Sequence, residues 1–153
     1  MAQVSELHAL RPIIAIDPAY ADLPIDQGFN WDECFADVDE GDWYLVVFRS
    51  RHFTGIDTDL LNAYDEFAQQ EARQSPDFLF YFIGTPNEHR ECLSFCLWKS
   101  RSEALKASVR PAHQRAQKLT SEMYEWFQLE RYIVKKTGGV PDGLIRFEPV
   151  GTR

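Results

Sequence analysis

The chain has 153 residues, 44% of them hydrophobic and 14% aromatic, and a formal charge of −8. That is the size of one domain able to bury its own core, and the composition is not that of a disordered segment. The acidic balance argues against a binder of phosphate backbones, no apolar run reaches the ~18 residues of a membrane helix, and the start of the chain lacks the basic and apolar regions of a signal peptide, so a cytoplasmic protein is expected.

Residues 1–42 read as an extended arm. They carry Pro12, Pro18 and Pro24 and close on an acidic run from Asp32 to Asp42. RPIIAID offers a short edge strand. Phe29, Trp31 and Phe35 are the residues expected to anchor the arm on the domain or on a neighbouring subunit. Asp37-x-Asp39 begins like a calcium loop, but Gly41 falls one place early for the loop glycine and position twelve is Phe48 rather than Glu. A solvated acidic loop is the better reading.

The domain proper is expected over residues 43–137. YLVVFRSR (Tyr44–Arg51) reads as a strand. Asp57 or Thr58 can cap the helix that follows, Thr58–Gln74, because a short side-chain oxygen satisfies free backbone N–H groups. Leu60, Leu61, Tyr64, Phe67, Ala68 and Ala72 fall on one face of it at helical spacing, and Ser75-Pro76 ends it. Phe78 to Ile83 form a second strand, GTPNEH a turn, and ECLSFCLW (Glu91–Trp98) a third strand. Ser100 and Glu103 suggest a capping box for a short helix, and Pro111 opens a new helical segment. Leu129–Lys135 form the last strand, and residues 138–153 a Gly- and Pro-rich tail in which LIRF can add an edge contact. The order β-α-β-β-α-β is a ferredoxin-like motif of α+β class with an antiparallel sheet.

These strands are apolar on both faces, whereas helices cover only one face of such a sheet. The other face therefore needs a cover, and a homodimer packed sheet to sheet is the economical one. The three cysteines suit a reducing compartment. Cys92 and Cys96 sit on one strand ~13 Å apart at ~3.3 Å per residue, too far to pair, so both read as small buried residues.

Around LSFCLWKSRSEAL and PAHQRAQ the chain resembles the antibiotic-biosynthesis-monooxygenase-like group of the dimeric α+β barrel superfamily, over about residues 43–135. The resemblance implies a barrel closed across a dimer and, in each subunit, a pocket between sheet and helices. Members of the group include cofactor-free oxygenases of polycyclic phenols and quinols, heme-degrading monooxygenases and many proteins with no known reaction, so the resemblance implies the superfamily better than any one activity. His113 matches the place of the axial histidine of the heme-degrading members. The asparagine and tryptophan those members use have no counterpart in YLVVFRSR or EALKAS, which speaks against heme turnover by that route.

His113 is accordingly the first candidate site residue, as an iron ligand or as a base for a phenolic substrate, with heme or no cofactor at all as the alternatives. Tyr64, Phe67, Phe80, Phe82, Trp98 and Tyr124, with Trp126, are candidates to line an aromatic pocket. Arg49 would stabilise an anion if it faced that pocket, and would otherwise pair with a carboxylate. His52 and His89 are read as loop residues without a role. A non-catalytic ligand-binding or structural dimer of the same fold is the alternative function.

Overall fold

A computed structural model describes residues 10–108, 111, 114–115, 118, 122–138 and 143–150. After the arm come β1 (Gly41–His52), α2 (Thr58–Ala72), β2 (Phe78–Phe82), β3 (Glu91–Trp98), α3 (Arg101–Ser108), β4 (Tyr124–Thr137) and β5 (Leu144–Pro149); α1 (Trp31–Cys34) lies within the arm. The sheet order is β2-β3-β1-β4-β5, and every pairing is antiparallel. This is the expected ferredoxin-like α+β arrangement, with LIRF forming β5 along the outer side of β4.

Local chemistry fixes the element ends. The Asp57 carboxylate accepts the Leu60 N–H at 3.0 Å and caps α2. Ser100 Oγ accepts the Glu103 N–H and donates to Asp77 Oδ2 at 2.7 Å, which ties the start of α3 to the entry of β2. Gly84 leaves β2 so close to β3 that a Cβ there would lie 1.9 Å from the Leu93 carbonyl oxygen. Gly84→Ala is therefore expected to destabilise the domain by at least ~1–3 kcal/mol, read from urea unfolding, because backbone rather than a yielding side chain must move.

The sheet does have two apolar faces, and the chain covers both of them. On one face Tyr44 and Trp98 pack with Ala104 of α3, and Tyr124 packs with Leu61 of α2. On the other, Leu45, Val47, Leu93, Phe95 and Leu97 are buried against the arm. Phe29, Trp31 and Phe35 are the arm's buried anchors, each 3% exposed or less. Phe29 meets Phe82 and Phe95 edge-on at 4.9 and 5.1 Å, a favoured aromatic geometry. The apolar face expected to meet a second copy thus meets the chain's own arm. RPIIAID lies in that arm, and its bridge, Ala15 to Phe29, is internal to it.

Two cations fasten the arm. Lys136 of β4 is buried, and its ammonium donates to the carbonyl oxygens of Phe35, Ala36 and Val38 just past α1. Three backbone carbonyls thus converge on one buried ammonium, which supplies the hydrogen bonds that a cation removed from water needs. Arg49 of β1 supplies the second fastening.

Candidate functional site

Arg49 points to the arm face and not toward the helices. Its Nε donates to Glu130 Oε2 at 2.6 Å, and its two terminal nitrogens donate to the carbonyls of Ala21 and Leu23, each at 2.8 Å. It is a clamp, so the anion-stabilising role considered for it has no geometry here. A lysine cannot reach three acceptors in a planar fork. Arg49→Lys is expected to cost about 1.5–3 kcal/mol, the worth of a charge-assisted hydrogen bond set left incomplete, and to admit protease cleavage near Ala21–Pro24.

The remaining predicted residues separate in the same way. Phe80 and Phe82, expected to line the pocket, pack in the arm-face cluster. A register shift in the β2–β3 pairing between Phe78 and Phe80 accompanies this, and Tyr81 stands opposite Cys96. Phe67 is 58% exposed and borders a surface groove with Gln70, Glu71, Gln74 and Arg115. Tyr64 is half-buried on α2. Trp98 is core: its indole N–H meets Cys96 Sγ at 3.0 Å, and its ring stands edge-on to Phe78 at 5.2 Å. Trp126 is exposed on β4. His113 lies outside the described residues. Only Tyr124 of the predicted lining joins the cluster described next.

The inward stripe of α2 is not the apolar one its sequence suggests. Leu60 and Phe67 are exposed, while Leu61, Asp65 and Gln69 turn inward, Gln69 being only 5% exposed. A carboxylate thus projects from the helix toward the sheet. Burial pushes the Asp65 carboxyl up from 3.8 to about 6, since removal from water penalises the charged form. Among the described residues no group donates a hydrogen bond to it.

Facing it are Tyr81 of β2, Cys92 of β3 and Tyr124 of β4, each near enough to feel the Asp65 charge, while Cys96 lies beside Tyr81. Burial raises both tyrosines' pKa values well above the usual, and the charge of Asp65 raises each further. Both hydroxyls stay protonated at neutral pH and can donate. Burial raises the Cys92 and Cys96 thiols to about 11, which keeps them protonated and poor as nucleophiles. His52, read from sequence as a loop residue, ends β1 instead. It is buried, its ring lies 4.9 Å from that of Tyr124, and burial lowers its pKa, favouring neutral imidazole.

The arrangement is a near-neutral acid set among protonated hydroxyls and thiols, walled by Phe48 and Tyr124. Perturbed acids of this kind gather where proton transfer is done. A wider surface cleft of about 440 Å³ lies between the arm and β5, lined by Asp26, Asp32, Trp31, Arg146 and Phe147 among others. It sits away from the buried acid, and its carboxylates stand at open surface, the ordinary place for them.

A family model described as PB2B2.08-like matches residues 2–149. No curated protein matches the sequence. Among solved structures, protein SO0527 from Shewanella oneidensis is 16% identical with a TM-score of 0.53, over 61% of this chain and 93% of its own. Rv0793 from Mycobacterium tuberculosis is 13% identical with a TM-score of 0.52, over 58% and 91%. A candidate antibiotic biosynthesis monooxygenase from Nitrosomonas europaea is 11% identical with a TM-score of 0.51, over 65% and 92%. Such likeness shows the fold, and it is the fold that the sequence resemblance implied. Among the described residues no helix is long and apolar enough to cross a membrane.

Proposed function

The chain belongs to the PB2B2.08-like family, and we propose that it is a monooxygenase-like protein that binds a small phenolic ligand between sheet and helices, with Asp65 as the base. What supports this is the placement of the Asp65 carboxyl on the inward face of α2, beside Leu61 and Gln69, where burial pushes its pKa up to about 6. A base poised near the working pH combines the right protonation state with useful proton affinity.

The chemistry follows from those groups. Asp65 takes the phenolic proton and leaves an electron-rich phenolate. Tyr81 and Tyr124 donate hydrogen bonds to the oxygen as its charge develops. Dioxygen is the oxidant: one of its atoms enters the ring as the second carbonyl of a quinone, and the other leaves as water. Phenol plus dioxygen balances quinone plus water, so no external reductant is required. The fold likeness to a candidate antibiotic biosynthesis monooxygenase supports the reaction class.

The test is a panel of mono- and polycyclic phenols, screened by thermal shift and then by oxygen uptake. A ligand that raises the midpoint and consumes one dioxygen per quinone supports the reading. Binding without oxygen uptake reduces it to a non-catalytic ligand-binding protein, and a panel with no stabilising member overturns it.

A further inference from the structure

The sheet face opposite α2 and α3 is covered by the arm, yet among the described residues the arm adds no strand to the sheet. The sheet order runs only from β2 to β5, and the arm's own bridge, Ala15 to Phe29, is internal. Every contact that holds the arm involves a side chain: the apolar anchors Phe29, Trp31 and Phe35, the cations Arg49 and Lys136 reaching up from the strands, and the Tyr20 hydroxyl and Glu40 carboxylate, which accept the Thr85 and Gly138 N–H groups. It can leave without breaking one rung of a β-ladder.

The face beneath the arm includes Leu45, Val47, Leu93, Phe95 and Leu97, each 2% exposed or less. Uncovered, it would form a contiguous apolar patch of a kind monomers do not leave open. The solved structures of the same fold are matched over 91–93% of their own length by only 58–65% of this chain. More than a third of this chain therefore lies outside what those structures share, which is room enough for the whole arm.

We propose that the arm takes the place of a second subunit: the full chain is a monomer, and the sheet under the arm is a latent interface for a second copy of the same chain. A second copy is the fitting occupant because two identical sheet faces pack across a two-fold axis with side chains interdigitating in one layer, and because the patch presents mainly apolar side chains to match. Arg49 keeps its Glu130 partner within its own sheet when the arm is gone, so one of the two cations stays neutralised in such an interface.

Sedimentation of the full chain across the micromolar range is expected to give the mass of one 17.8 kDa chain. Phe29→Asp alters only the arm and sets a carboxylate among Tyr20, Phe82 and Phe95. That variant is expected to double in mass while its arm becomes protease-sensitive and β1–β5 resist. Adding a peptide of residues 10–40 with the native sequence should return it to a monomer. If circular dichroism shows Phe29→Asp to be unfolded, the Arg49→Ala, Lys136→Met double variant loosens the arm by another route and is read the same way. A wild-type dimer with a protected arm, or an arm-released variant that stays monomeric, overturns the proposal.

Discussion

Trp31→Ala is expected to cost the whole domain about 3–5 kcal/mol, the usual loss for a large buried aromatic. Trp31 is 3% exposed, its indole N–H donates to the Ile25 carbonyl at 2.7 Å, and its ring lies 5.3 Å from that of Phe95 and 5.0 Å from that of Phe147. It therefore ties α1 at once to a loop of the arm, to the centre of the sheet and to the edge strand. Removing it opens a cavity shared by all three. In thermal unfolding the midpoint should fall by roughly 10 °C as a single transition. A loss below about 1 kcal/mol would mean that the arm is an ornament on a sheet stable without it.

Asp65→Asn should do the opposite to stability. The folded-state pKa of Asp65, about 6, lies above the ordinary 3.8, so folding favours its protonated form. The stability this gives is complete below about pH 4 and is lost as the pH rises through 6. A tenfold change in proton affinity corresponds to ~1.4 kcal/mol, so the charged carboxylate costs the wild type roughly 2–3 kcal/mol at pH 8, and asparagine removes that cost. Urea unfolding should show the variant more stable at pH 8 and equal to the wild type near pH 4. Its oxygen uptake should fall by about 10²–10⁴-fold, while wild-type uptake should rise with pH through about 6. A gain in stability with a loss of turnover is the signature of a group held at a cost for chemistry. Lower stability at pH 8 would mark Asp65 as a structural acid and end its assignment as the base.

The two effects come from opposite faces of one sheet, and they were not equally legible in the sequence. Period-two alternation, Gly and Pro punctuation and the Asp57 and Ser100 caps are local signals, and β1, α2, β2, β3 and the start of α3 follow them. The arm's anchors were legible too, because three large aromatics spaced along a Pro-rich segment have to be buried somewhere. Which surface would bury them was not, since a sheet with two apolar faces is satisfied equally by a second chain and by an arm of its own.

The site was the least legible part. Leu60, Leu61, Tyr64 and Phe67 make the more apolar stripe of α2, and helical periodicity alone points that stripe inward. In the structure the helix presents Leu61, Asp65 and Gln69 instead, leaving Leu60 42% exposed. The sequence offered one signal, a lone acid within reach of the apolar stripe and one residue from Tyr64, and such acids ordinarily face water. The aromatic character of Phe80 and Phe82 points them to a pocket, but the register shift in β2 and the alternation of strand side chains send them to the arm.

By itself, then, the sequence determined β1, α2, β2, β3 and the start of α3, their order and the α+β class, because hydrogen-bonding caps, turn residues and side-chain period act over a few residues; it did not show α1 or that β4 starts at Tyr124 rather than Leu129, and the helical segment expected from Pro111 falls largely outside the described residues. Only the tertiary structure decided what covers the second face, which stripe of α2 turns inward and which carboxylate is taken out of water. Those depend on residues far apart in the chain, the contacts of Phe29 with Phe95 and Lys136 with Phe35 and the charge of Asp65 felt at Tyr81, and no local pattern encodes them.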